Sequence, residues 1–415
     1  MNAPGAAALL VSAALLATMA VRSRRNRAHR RVVRRRAQPA DRQSAARKAA
    51  AIHAAAATTA HLGPVTSLQG LYSALDAGTS LDAAVVMNLD LRGVPLRDVA
   101  MRDALLLGCE GHAESAGALA FPRFPPSVPY NPYRANVYTA DELYDAFDVG
   151  DPASYEKCFD FAVYHNYLDA ARPIDVFAQR VHDHCISQAL ARVVAPMRHI
   201  VAVLGGHELL RHSDEYMKTV LLARELTQSG FVVATGGGPG AMEAANLGAY
   251  TANEPVEVVR ALVASMSVAP HYKDARWLAA AWEARARVDP ATAADSLGIP
   301  TYFYGHEPSN CFATHIAKFF QNSVREDGLL KLANAGAVFL PGSAGTMQEV
   351  FMELSGNHYT GAPVPMVFWG SAHWNASDVM PVLRFVANNK PYQNLISVVD
   401  DGAAAIAVLK AFATN

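Results

Sequence analysis

A carboxylate beside a phosphate-binding turn is an awkward pairing, and this chain carries one. Residues 336–353 read GAVFLPGSAGTMQEVFME. Ala337-Val338-Phe339-Leu340 is a short apolar run of the kind buried in a parallel sheet. Pro341-Gly342-Ser343-Ala344-Gly345 is a tight turn, and a helix is predicted to open at Thr346 and carry Glu349 and Glu353. Such a strand, turn and helix N-terminus together form an anion site. The first N–H groups of a helix lack carbonyl partners, and the helix dipole is positive at that end. A carboxylate at Glu349 repels a phosphate but suits chemistry on a group attached to it. A first-turn position favours its ionised form, fit for electrostatic stabilisation or base catalysis. Glu353, one turn on, shares the face and is read as a supporting or solvated residue.

Two further glycine turns follow apolar runs. His199-Ile-Val-Ala-Val-Leu204 leads into Gly205-Gly206, and Phe231-Val-Val-Ala234 leads into Thr235-Gly236-Gly237-Gly238-Pro239-Gly240, then AMEAA with Glu243. Consecutive glycines let the backbone approach a ligand closely. If the Thr235–Gly240 and Pro341–Gly345 turns end neighbouring strands, they face one crevice, suited to a ligand with phosphate at one end and a reactive bond at the other. No G-x-G-x-x-G with a following ribose-binding acid is present, which disfavours NAD. No GK[ST] follows either loop, which disfavours phosphoryl transfer. His182-Asp183-His184-Cys185 has metal-ligating residue types, but positions i and i+2 on a helix point apart and no second cluster completes a set, so no metal is expected.

These turns need a scaffold that brings strand ends together. From His199 onward strand and helix patterns alternate. Ser213 is placed to cap a helix opening with Asp214 and Glu215, and Gly230 to end it. Thr301–Tyr304 reads as a strand and Val364–Trp369 as another. Ser309 is read as capping a helix to about Ser323, which carries His315 and Lys318, with a break at Arg325 and a short helix over Leu329–Asn334. This predicts an α/β, doubly wound, mostly parallel Rossmann-like sheet over residues 196–415, with an insertion at about 253–300 and the ligand at the carboxyl ends of the strands. Residues 61–195 read as a smaller α+β accessory domain. They include two weakly coil-like stretches within Met87–Cys109, a Pro-rich connector at Phe121–Pro132, and a helix opening with Thr139 and Glu142 at capping-box spacing.

Residues 1–60 differ again. Gly5–Val21 is apolar and Ala-rich, and nine arginines follow between Arg22 and Arg36. A transit peptide, a membrane anchor over residues 5–21 and a disordered basic tail all fit, giving a cytoplasmic or organellar protein. The formal net charge is −1, and no basic face follows residue 60, so nucleic acid is not an expected partner. The four cysteines, Cys109, Cys158, Cys185 and Cys311, are widely spaced and read as reduced thiols.

TGGGPGAMEAANLGA followed about a hundred residues later by PGSAGTMQE resembles the signature pair of the Lonely Guy (LOG) family, over roughly His199–Asn415. The resemblance implies hydrolysis of the N-glycosidic bond of a nucleoside 5′-monophosphate to free base and ribose 5-phosphate. It implies no cofactor, and a homodimer or higher homo-oligomer. It places the substrate on Gly205, Gly206, Gly236, Gly237, Gly238, Gly240, Glu243, Pro341, Gly342, Ser343, Ala344, Gly345 and Thr346. Glu349 matches the catalytic glutamate. Arg325, within Asn322-Ser-Val-Arg-Glu326, matches the partner arginine. Ser343 stands where the family has a second glycine, and Glu326 where it has lysine. That extra negative charge makes a common purine or pyrimidine monophosphate at least as good a candidate substrate as a cytokinin nucleotide. The alternative on the same fold is a non-catalytic nucleotide-binding or molybdenum-cofactor carrier protein.

Overall fold

The computed structural model describes residues 63–413 apart from 98, 112–116, 171, 304–307 and 360. The transit-peptide and anchor expectations for residues 1–60 lie outside them. Among the described residues no helix is long and apolar enough to cross a membrane. Residues 62–415 group into one compact unit.

After helix α1 (Leu68–Asp76), strands β1 (Val85–Met87), β2 (Leu105–Leu107) and β3 (Leu119–Phe121) form a three-stranded parallel sheet in chain order. Val85, Leu105 and Leu119 are in register, and Val65 bridges to Val86 beside them. Leu89, Leu91, Leu96 and Met101 fill the space inside the turns. Of the two coil-like stretches in the sequence, the second contains β2, whereas the first, Leu89–Gly93, follows β1 and keeps one bridge, Asp90 to Glu110. Next come α2 (Ala140–Leu143), a 3₁₀ turn, α3 (Phe159–Leu168) and the long α4 (Pro173–Val194). Thr139 caps α2 as expected, accepting the Glu142 N–H at 3.1 Å.

The chain then runs β4 (Ile200–Leu204), α5 (Asp214–Gln228), β5 (Val232–Thr235), α6 (Ala241–Tyr250), α7 (Val256–Met266), α8 (Trp277–Arg285), β6 (Ser296–Gly298) and β7 (His315–Ile316). It continues through α9 (Asn322–Leu332), β8 (Gly336–Phe339), α10 (Ala344–Tyr359), β9 (Met366–Trp369), α11 (Ser371–Ala376), α12 (Val379–Ala387), β10 (Ile396–Val399) and α13 (Gly402–Ala413). Seven strands pair in the order β10-β9-β8-β4-β5-β6-β7, every pair parallel. This is the doubly wound Rossmann-like architecture. Strands β4 and β8 are buried along their whole length, because helices cover both faces of the sheet. Each of their larger apolar side chains contributes about 1.5–3 kcal/mol by burial. Ser213 caps α5, its hydroxyl accepting the Tyr216 N–H at 3.2 Å.

The strand order reverses at β4, which pairs with β5 on one side and β8 on the other. A crevice opens at such a switch point, outside the carboxyl ends of the strands. The turns after β4, β5 and β8 are the three glycine turns. The Thr235–Gly240 and Pro341–Gly345 turns therefore do not end neighbouring strands as expected. They flank β4, and its Gly205-Gly206 turn lies between them.

Three local expectations are corrected. The strand expected at Thr301–Tyr304 is displaced to Ser296–Gly298, inside the expected insertion, and Pro300 ends it; Thr301 keeps one bridge, to Phe319. The helix expected over Ser309–Ser323 is absent, and His315 lies on edge strand β7. Instead, His315 and Ile316 pair with Leu297 and Gly298 of β6, and Ile316 also bridges to Tyr138, so the backbone there is extended. Finally, no break occurs at Arg325: α9 runs through it without interruption.

Candidate functional site

Helix α10 turns Thr346, Glu349, Val350, Glu353, Leu354 and Asn357 inward, the spacing of one helical face. It begins at Ala344, two residues earlier than expected, so Glu349 lies in its second turn. Ser343 precedes the helix, and its carbonyl accepts the Met347 N–H at 3.0 Å. Ser343 is not among the positive-φ residues, so serine fits where a second glycine was the pattern. Gly342 is different: a Cβ there would lie 2.1 Å from the Thr346 hydroxyl oxygen, so this close approach requires glycine.

Helix α9 turns Arg325, Glu326 and Leu329 inward toward α10. Arg325 Nη1 donates to Glu349 Oε1 at 3.3 Å, and both residues are buried. A Cβ on Gly236 would come within 3.2 Å of Arg325 Nη1, so the guanidinium lies against the second glycine turn as well. Burial pushes the Glu349 carboxyl up to about 7; Arg325 pulls it down and the Glu326 carboxylate pushes it up. The expectation of an ionised first-turn acid is therefore corrected. Desolvation dominates, and Glu349 is poised to exchange a proton near neutrality. Glu353 is likewise pushed up to about 7 by burial.

The cavity between these elements measures about 260 Å³ and lies at the switch point. Gly205, Gly206, Gly236, Gly238, Arg325, Ser343, Ala344, Gly345, Thr346 and Glu349 line it, as the sequence suggested. His207, Met242, Pro300, Thr301 and Glu326 line it too. His207 directly follows Gly205-Gly206 and Met242 comes two residues after Gly240, so sequence adjacency could have found both. Pro300 and Thr301 arrive by the β6 pairing, which no local pattern announced. Glu326 accepts from the Asn322 side chain at 2.7 Å and from Gln348.

Gly237, Gly240, Glu243, Pro341 and Gly342 are not among the lining residues; they shape the loops. Gly240 has φ 67°, and a Cβ there would lie 2.5 Å from the His207 carbonyl oxygen. Glu243 is fully buried in an ion pair: Arg211 Nε donates to it at 2.9 Å and the Tyr216 hydroxyl at 2.8 Å. Arg211 also donates to the carbonyls of Ala269 and Trp277 at 3.2 and 2.9 Å, so residues 253–300 help anchor the start of α6. Thr235, Asn246 and Asn310 hold the triple-glycine turn through buried hydrogen bonds, among them Asn310 Nδ2 to the Gly238 carbonyl at 3.1 Å.

Neither His315 nor Lys318 reaches the cavity. His315 meets Asp295 at 3.1 Å, and Lys318 donates to Asp160 at 2.6 Å in a buried pair. Among the described residues no cluster of three or more histidine, cysteine, aspartate or glutamate side chains suits a metal. A larger hollow of about 570 Å³ lies along the Pro-rich connector, beside Tyr130, Tyr133 and Phe159. Its one charged lining residue, Arg123, is paired with Glu110, so ionisable groups do not converge there.

No family model matches the chain, and no curated protein matches it. Solved structures are similar over about half of it. A molybdenum cofactor binding protein from the phototrophic bacterium Rippkaea orientalis shares 16% identity, with 52% of this chain and 98% of that one covered at a TM-score of 0.34. A molybdenum cofactor carrier protein from Chlamydomonas reinhardtii shares 16% identity, with 52% of this chain and 100% of that one covered at a TM-score of 0.33.

Proposed function

We propose that the chain binds a nucleoside 5′-monophosphate and hydrolyses its N-glycosidic bond, releasing free base and ribose 5-phosphate. The observation that carries this reading is the buried Arg325–Glu349 pair at 3.3 Å beside a cavity lined by glycine turns. The phosphate rests on the first N–H groups of α10 and the hydroxyls of Ser343 and Thr346, where the helix dipole favours an anion. Cleavage of the ribosyl C–N bond develops positive charge on the sugar, and ionised Glu349 stabilises it and orients the attacking water. Arg325 holds Glu349 in place and favours its ionised form. No cofactor takes part, and the reading includes assembly as a homodimer, testable by light scattering on the purified chain.

A second reading is binding without turnover, of a nucleotide or of a molybdenum cofactor as cargo, the ligand named for the similar solved structures. Glu326 favours it, because its carboxylate in the cavity wall pushes Glu349 toward the protonated form, which cannot stabilise positive charge on the sugar. Incubation with AMP, GMP, CMP and UMP, with free base followed by chromatography, separates the two. Release that is lost in Glu349→Gln supports hydrolysis. A ligand that raises the melting temperature and is never consumed supports binding alone.

A further inference from the structure

The His182-Asp183-His184-Cys185 run lies outside the cavity, yet one of its residues reaches the helix that carries Arg325. Helix α9 starts behind the N-cap residue Gln321, whose side chain makes no capping bond. Asp183, on α4, supplies acceptors from across the interface. Its Oδ1 accepts the Phe320 N–H at 2.9 Å and its Oδ2 accepts the Gln321 N–H at 2.8 Å. Asp183 is 4% exposed, so this carboxylate is withdrawn from water; each oxygen takes one N–H at the start of α9, and Oδ1 also meets His182 Nδ1 at 3.4 Å. Arg180, three residues earlier on α4, donates to the Gln321 side-chain oxygen. The neighbouring His182 is fully buried and meets the Tyr138 hydroxyl at 2.7 Å; burial lowers its pKa, so it stays neutral and brings no charge to Asp183. Instead, two charge-assisted peptide hydrogen bonds and the positive end of α9 compensate the carboxylate.

From these contacts we infer that Asp183 is a positioning residue for Arg325, and that residues 61–195 complete the site through it. The inference rests on the proposed hydrolysis. Arg325 sits in the first turn of α9, so a shift of the helix start moves its guanidinium relative to Glu349 and Gly236. Misplacement by about 1 Å costs on the order of 10²-fold in rate. Lys318–Asp160 at 2.6 Å and the Tyr144 hydroxyl on the Ser309 carbonyl at 2.5 Å tie down the segment before the helix, but neither touches its first residues.

The test is a double-mutant cycle on the full chain with Asp183→Asn and Arg325→Ala, measuring kcat and KM for the nucleotide the wild type hydrolyses. Asp183→Asn keeps the side-chain shape but sets an NH2 against one of the two peptide N–H groups. We expect kcat to fall on the order of 10²-fold with KM little changed, and no further fall when Asp183→Asn is added to Arg325→Ala. Asp183→Glu, which keeps the carboxylate, should recover part of the loss; should Asp183→Asn fail to fold, the same cycle is read with Asp183→Glu. An equal loss in both backgrounds, or none in a folded single variant, overturns the inference. Should the wild type release no base, the hydrolase reading fails on that result alone. The cycle is then read in AMP affinity by calorimetry, with the same non-additivity expected and additivity overturning it.

Discussion

Arg325 Nη1 and Glu349 Oε1 face each other at 3.3 Å from two different helices, both buried at the switch point of the sheet. The ion pair bounds a cavity and lies within reach of a glycine turn from a third element. Replacing Arg325 with methionine keeps the packing but removes the group that lowers the Glu349 pKa. In the proposed reaction ionised Glu349 is the active form, so kcat/KM of the wild type should rise with pH through about 7 and level off above it. In Arg325→Met the midpoint should move to higher pH. A pH–rate profile of both proteins checks this.

Glu353 should make stability depend on pH in the direction opposite to a salt-bridged carboxylate. Its folded pKa of about 7 lies above the value of about 4.3 of a free glutamate. Below about pH 4 both states hold the proton and the burial costs nothing. Between about 4 and 7 the unfolded chain loses its proton first, so stability falls as pH rises. Glu353→Gln should be on the order of 2 kcal/mol more stable than the wild type at pH 8, with the difference closing toward pH 4. Urea unfolding at a series of pH values measures it.

Arg211 and Glu243 form a buried pair that anchors the start of α6. Arg211→Ala leaves Glu243 buried without its cation and should cost about 3–5 kcal/mol of unfolding free energy. Arg211 does not line the cavity, so the molecules that remain folded should bind nucleotide like the wild type. Denaturation combined with ligand titration distinguishes the two effects.

Gly240→Ala forces a Cβ against the His207 carbonyl at a left-handed backbone position. The strain should cost on the order of 1–3 kcal/mol or displace the turn. Gly345→Ala, where a Cβ meets nothing within 4 Å, should cost little. Thermal unfolding of the pair tests the contrast.

What the sequence revealed, it revealed through local rules. The buried strands β4, β5 and β8, the Ser213 and Thr139 caps and the glycine turns each follow from residues within a few positions of one another, and together they define a doubly wound sheet. Glu349 was visible because it follows a turn. Its ionisation was not, because desolvation depends on what α9 and the sheet pack against it. The helix expected over Ser309–Ser323 failed for a similar reason. His315 and Ile316 pair with β6 and with Tyr138, partners outside any local helical window, and the backbone there is extended. The side chain of Asp183 looked like a stray metal ligand because its partners, the N–H groups of Phe320 and Gln321, lie more than a hundred residues away.

The most direct measurement of the central claim is free-base release from the four common nucleoside 5′-monophosphates by the wild type and by Glu349→Gln. The account predicts release of base and ribose 5-phosphate in equal amounts from at least one of them. It predicts a fall of at least about 10²-fold in Glu349→Gln, with the nucleotide still bound. No release from any of the four by wild-type protein that binds them, or equal release by Glu349→Gln, would contradict it.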